Sequence, residues 1–222
     1  MTDLADRLAS VDAAIADAAR DAGRDPAGIT RIVVTKFHPA SLVRELAQLG
    51  VTDVGENRHQ EAQAKAAELA DLGLAWHFVG QLQRNKARQV RGYARAVHSV
   101  DRSSLADALG GEPALDVFIE LNLTDDPGRG GVVPADAEAL AEHILGVPGL
   151  RLRGVMAVAP LGAQPRAAFS EVRAVSERLR RVAPGADAIS AGMSADFREA
   201  ILEGATHLRI GTAITGKRST SG

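Results

Sequence analysis

The feature that most constrains this chain is a steady alternation of short apolar runs with helical segments. Arg31–Thr35 reads as a buried strand, Pro39–Leu49 as a helix closed by Gly50, Thr52–Val54 as a strand, and Asn57–Leu72 as a helix ending at Gly73. Further strands are predicted at 74–79, 96–99, 115–121, 150–157, 188–190 and 207–210, with helices at 85–92, 102–109, 134–145, 165–182 and 195–203. Apolar runs bounded by Gly and Pro predict strands, and apolar residues recurring every three or four positions predict helices. The count is eight strands, each followed by a helix except the last. Ahead of them, Leu4, Leu8, Val11, Ile15 and Ala18 mark an amphipathic helix that stops near Gly23 and Pro26.

Strands joined through helices imply right-handed βαβ crossovers and a parallel sheet. Eight of them in about 190 residues fit a single α/β domain, a small (β/α)8 TIM barrel. That domain is expected to span 1–222, with an extra N-terminal helix and a flexible tail at 218–222. The extra helix could pack where the last one is missing. An open doubly wound sheet is the competing fold. It predicts a G-x-G-x-x-G turn after the first strand, where this chain has Thr35-Lys-Phe-His-Pro39.

Composition removes whole classes of chemistry. With no Cys among 222 residues, disulfides, zinc-thiolate sites, iron–sulfur clusters and cysteine nucleophiles are excluded. A formal net charge of −2 gives no basic excess for nucleic acid or anionic membranes, and 3% aromatics offer few stacking platforms. The Met1–Arg24 segment has no signal-peptide core, and no apolar run is long enough to span a bilayer, so a cytoplasmic protein is expected.

Lysine is scarce. Only Lys36, Lys65, Lys86 and Lys217 occur. Lys36 follows the first strand directly, where a barrel places its functional residues. An amine there, partly desolvated, can attack a carbonyl to form a Schiff base; the competing reading is a solvated lysine opening a loop. Lys65, amid Glu61 and Glu68, reads as a solvated helix face, Lys86 as a polar loop or helix start, and Lys217 as part of a polar tail.

A second candidate site joins Ser190-Ala-Gly-Met-Ser194 to Arg209-Ile-Gly-Thr212. Barrels often hold phosphate with the loops after strands seven and eight, and small residues at a helix start free backbone N–H groups for an anion. Taken singly, Ser194 is an ordinary N-cap and Gly211 a tight turn. An imine-forming lysine, a phosphate pocket and Arg209 together suggest pyridoxal 5′-phosphate (PLP), with the arginine keeping the ring nitrogen unprotonated. The competing class is a Schiff-base aldolase or another phospho-sugar barrel, in which Lys36 attacks the substrate itself.

Over nearly its whole length the chain resembles the pyridoxal phosphate homeostasis protein family, related to the N-terminal barrel of alanine racemase. The segments that carry the resemblance include Val34-Thr-Lys36, Gly55-Glu-Asn57, Gln60-Glu61, Trp76–Lys86 and His98-Ser-Val-Asp101. They continue with Leu152–Ala157, Gly192–Phe197 and Glu203–Thr212. The resemblance implies that Lys36 holds PLP as an internal aldimine, that Ser194, Gly211 and Thr212 bind its phosphate, and that Arg209 faces the pyridine nitrogen. It also implies Asn57 near the ring hydroxyl and Met193 in a less specific contact. His77 is expected to be a satisfied pocket histidine rather than a proton shuttle. The chain departs from the family pattern after the fifth strand, where Arg129 stands in place of a lysine. Arginine keeps the charge but not the amine chemistry.

A racemase of this barrel type uses a tyrosine from another domain on the opposite ring face. Here the only tyrosine is Tyr93, between strands three and four, and no second domain is expected after the barrel. The expected function is therefore a PLP buffer or carrier serving PLP-dependent apo-enzymes, with no catalytic residue, no metal and a monomeric state. A weak amino-acid racemase is the alternative, and the aldolase comes third.

Overall fold

The computed structural model describes residues 3–126 and 128–216. Lys217 and the tail at 218–222 lie outside the described residues. In chain order the elements are α1 (Leu4–Asp21), β1 (Thr30–Val34), α2 (Ala40–Gln48), β2 (Asp53–Glu56), α3 (His59–Glu68), β3 (Ala75–Phe78), α4 (Ala87–Arg91), β4 (Ala96–Val100) and α5 (Ser103–Leu109). They continue with β5 (Leu115–Glu120), α6 (Ala137–Leu145), β6 (Leu150–Met156), α7 (Pro165–Val182), β7 (Ala188–Ser190), α8 (Phe197–Leu202), β8 (His207–Ile210) and α9 (Thr212–Thr215). The strands close into a barrel in the order β1 to β8, every pair parallel, with β8 returning to β1 through Ile32 beside Arg209. This is the (β/α)8 TIM barrel that the alternation predicts.

Side-chain alternation splits the interior in two. One parity of each strand, Val33, Val54, Val97, Val117, Ile119, Val155, Ile189 and Leu208 among them, joins the helices in the main apolar core. The other parity faces the barrel axis, where Ala96, Phe118, Met156 and Ala188 form a small separate cluster. Polar side chains share the axis with them: His77, His98, Ser190 and Arg209 are all buried.

The N-terminal helix packs against α8 and α9. Leu4, Leu8, Val11, Ile15, Ala18 and Ala19 form its buried stripe. Two arginines fix its ends: Arg7 Nε donates to the Ile214 carbonyl at 2.6 Å, and Arg24 donates to the carbonyls of Ile201 and Ala205 at 2.9 and 2.8 Å. The last strand is not bare as expected. It is followed by the single turn of α9, and α1 covers what a longer helix would otherwise cover.

Candidate functional site

The rim at the C-terminal ends of the strands is built by parity. A carbon added at Gly55 would stand 3.0 Å from Ile32 Cγ2 and 3.3 Å from Val34 Cγ2, so both face the axis. Thr35 turns outward on leaving the strand, and Lys36 follows it in the turn at the C-terminal end of β1. Thr35 Oγ1 donates to Glu56 Oε1 at 2.7 Å. Lys36 is exposed, with Nζ 6.0 Å from the centroid of the Phe37 ring. The desolvation expected of it is absent because β1 ends at Val34, leaving residue 36 above the rim.

The loop that carries Lys36 is held from below. Lys65, expected on a solvated face, is buried: its Nζ donates to the Thr35 carbonyl at 2.9 Å, to Glu56 Oε1 at 2.8 Å and to Glu61 Oε1 at 2.7 Å. Glu61 Oε1 also accepts the Phe37 N–H at 2.6 Å. Phe37 has φ 68°, a left-handed turn that costs a non-glycine residue about 1–2 kcal/mol. The Arg58 guanidinium, 4.6 Å from its ring centroid, covers it from the mouth of α3. Burial holds the Glu56 carboxyl above its usual range despite Lys65, and Glu56 Oε2 has no hydrogen-bond partner. A reader of the sequence could have found Lys65 from the buried stripe His59, Ala62, Lys65, whose spacing of three places it toward the barrel.

Across the mouth, the loops after β7 and β8 are tied together. The Ala213 N–H donates to Ser194 Oγ at 3.2 Å, and Arg209 N–H donates to the Gly192 carbonyl at 2.9 Å. Gly192 takes φ 91°, and a side chain there would meet Ala200 Cβ at 2.7 Å. Gly211 lies against β1: a carbon added to it would stand 3.6 Å from Val34 Cβ. The predicted phosphate residues Ser194, Gly211 and Thr212 therefore share the stretch of rim from which Lys36 rises. Met193 beside them is 38% exposed. Arg209 is buried below, donating NH1 to the Ser190 carbonyl and Oγ, both at 2.7 Å, and NH2 to the Ala157 carbonyl at 2.9 Å. Burial pushes its pKa down to about 10. Asn57 closes the ring from β2, packed so tightly on Gly80 that a carbon there would meet the Asn57 carbonyl at 2.4 Å.

Glu120, at the inward-facing end of β5, is a rim residue the sequence reading missed. Its Oε2 is buried without a partner. Burial first, then Asp101, raises its pKa to about 7, with Arg209 and Arg129 pulling the other way. The sign for stability follows. Below about pH 4.5 the carboxyl is protonated in both folded and unfolded chains; above it the unfolded chain loses its proton first, so stability falls as pH rises through 7. Glu120→Gln is expected to match the wild type at pH 4.5 and to be about 1–3 kcal/mol more stable at pH 8, read by thermal unfolding across pH. A variant less stable than wild type at pH 8 would contradict this.

Tyr93 sits elsewhere. It stacks on His59 at 5.9 Å between centroids, in the groove where α3 meets α4, outside the strands. Burial raises its phenol further above its ordinary value.

Comparison with known proteins decides what kind of barrel this is. Residues 19–219 match the family model of the alanine racemase N-terminal domain. The pyridoxal phosphate homeostasis protein of Pseudomonas aeruginosa is 44% identical over 223 residues, covering 98% of this chain and 97% of that protein. This chain belongs to the pyridoxal phosphate homeostasis protein family. Among solved structures, PipY of Synechococcus elongatus is 37% identical, is known without PLP and with PLP bound, and in the latter form superposes with TM-score 0.84 over 96% of this chain and all of PipY. Alanine racemase from Corynebacterium glutamicum, at 15% identity and TM-score 0.69, shares the fold; the match covers 97% of this chain and 63% of the racemase. Among the described residues, no helix of this family member is long and apolar enough to cross a membrane.

Proposed function

We propose that this protein holds PLP covalently and reversibly on Lys36 and buffers it, or delivers it to PLP-dependent apo-enzymes, with no dedicated reaction of its own. The observation that carries the reading is the convergence of Lys36, the Ser194–Gly211–Thr212 rim and buried Arg209 on one mouth. Its support from outside is the name shared by the relatives and the PLP bound in PipY. The mouth also fits the group on its own terms: Asn57 Oδ1 is buried without a partner, as an acceptor waiting for a ring hydroxyl would be.

PLP, when bound, would supply an aldehyde, and Lys36 Nζ is the amine that would hold it. Ser194, Gly211 and Thr212 hold the phosphate. Arg209 keeps N–H donors beyond those given to Ser190 and Ala157, and as a donor-only cation it opposes protonation of the ring nitrogen. Asn57 takes the ring hydroxyl, and Met193 covers the outer edge. The domain is 1–222, acting as a cytoplasmic monomer.

A racemase needs proton-transfer groups on both ring faces. Tyr93, half-buried in the groove between α3 and α4, is not one of them. Glu120 is the observation that favours the second reading, a weak PLP-dependent amino-acid racemase, because its carboxyl titrates near neutrality beside Arg209. Incubating PLP-loaded protein with L-amino acids in deuterium oxide separates the two. The carrier reading expects no α-proton exchange above that of free PLP; exchange at enzymatic turnover rates would reject it.

A further inference from the structure

Beneath the mouth runs a line of hydrogen bonds that cofactor binding does not by itself require. Arg209 NH1 donates to Ser190 Oγ at 2.7 Å, and Ser190 Oγ lies 2.9 Å from His98 Nδ1. His98 Nε2 lies 2.9 Å from His77 Nδ1, and His77 Nε2 lies 2.9 Å from Asp53 Oδ1. Four strands contribute, β8, β7, β4 and β3, before the line ends on the first residue of β2. Asp53 and His77 border a cavity of about 140 Å³ at the barrel floor, also lined by Arg95, Asp116, Arg153 and His207.

The donor inventory gives this line a direction. A guanidinium only donates, and an ionised carboxylate only accepts. Ser190 Oγ takes a hydrogen from Arg209 and sends its own to His98 Nδ1. The His98 proton is then on Nε2, aimed at His77 Nδ1, and the His77 proton is on Nε2, aimed at Asp53. With Asp53 ionised, no other arrangement of two neutral rings satisfies every contact. Burial keeps His98 neutral, holding its pKa well below the ordinary histidine value. For Asp53, the hydrogen bonds from His77 and Thr52 outweigh burial and leave the carboxyl below its usual value.

We propose that Asp53, His77, His98 and Ser190 are positioning residues for Arg209, forming a one-way chain anchored on the Asp53 carboxylate that orients the guanidinium from the opposite end of the barrel. What Arg209 is oriented toward, the ring nitrogen of PLP, rests on the function proposed above. The anchor lies at the floor and touches nothing at the mouth, so its effect on a bound cofactor can only pass through the chain.

Two measurements test this. In ligand-free protein, nitrogen-15 NMR of the histidine side chains is expected to show His77 and His98 both neutral with the proton on Nε2 at pH 7.5. A charged ring, or a proton on Nδ1 of either, overturns the chain. In PLP-loaded protein, Asp53→Asn replaces an acceptor-only carboxylate with a neutral amide that can also donate to His77 Nε2, so the direction of the chain is no longer fixed. It is expected to shift the cofactor's visible absorption and raise its Kd about tenfold, the scale of one hydrogen bond to a charged group. Asp53→Glu, which keeps a carboxylate, restores both. Asp116→Asn, on the same floor but bonded to Arg151 and Arg95 instead, leaves both unchanged. An Asp53→Asn protein with wild-type spectrum and affinity overturns the coupling to Arg209. Wild-type protein that takes up no PLP overturns the cofactor reading instead, and the NMR result then decides the chain alone.

Discussion

Protein carrying Lys36→Ala is expected to stay colourless after incubation with PLP and to lose the absorption near ~420 nm that such imines give. It should release bound PLP on gel filtration, with affinity reduced about 100-fold or more, because only the phosphate and ring contacts remain. The variant should fold normally. Lys36 is exposed and stands above the rim, so its removal empties no core and strands no buried charge. Loss of colour together with a large fall in melting temperature would contradict the assignment, since it would make Lys36 a structural residue.

Lys65→Met is expected to produce the opposite phenotype. It removes the cation of a buried cluster and leaves Glu56, 1% exposed, with the Thr35 hydroxyl as donor and the like charge of Glu61 nearby. Breaking a buried ion pair from one side costs about 3–5 kcal/mol, which for a chain of this size lowers Tm by roughly 6–20 °C. The effect depends on pH. Burial already holds the Glu56 carboxyl above its usual range, so it takes up a proton readily once its partner is gone, and the loss should shrink as the pH falls. Adding Glu56→Gln to Lys65→Met should recover part of the stability at pH 8. PLP affinity should also fall, because Lys65 fixes the Thr35 carbonyl and, through Glu61, the Phe37 turn beside Lys36. A double variant no more stable than the single one would contradict this account of the cluster.

These two lysines show what the end of a strand reveals in sequence and what burial hides. The barrel was legible because its outer parity is apolar and its helices are amphipathic; α7 spans 165–182, as its periodicity predicts. The place of Lys36 just beyond β1 was legible, but its exposure was not, because the strand stops at Val34. Lys65 was misread because a charged helix next to Glu61 looks solvated until Glu56, on a neighbouring strand, is seen to need a cation. The helix predicted from Asn57 to Leu72 begins two residues later and tightens into a short 3-10 turn after Glu68, since Asn57 belongs to the rim rather than to α3. The turn of α9 is too short for any periodicity to announce it.

The polar barrel axis was the least legible part. His77, His98, Ser190 and Arg209 are scattered over four strands, and only closure of the sheet brings them within hydrogen-bonding distance. Glu120 carries no sequence signal of its raised pKa, which comes from burial and from Asp101 on another loop. Sequence periodicity reports which face of an element is buried. It does not report what the opposite strands place against that face.

Mass spectrometry of the protein after incubation with PLP and reduction with borohydride tests the central claim most directly. A single phosphopyridoxyl group on Lys36, absent from Lys36→Ala, is the predicted result. A modification on Lys65 or Lys86, or no stable modification at all, would contradict it.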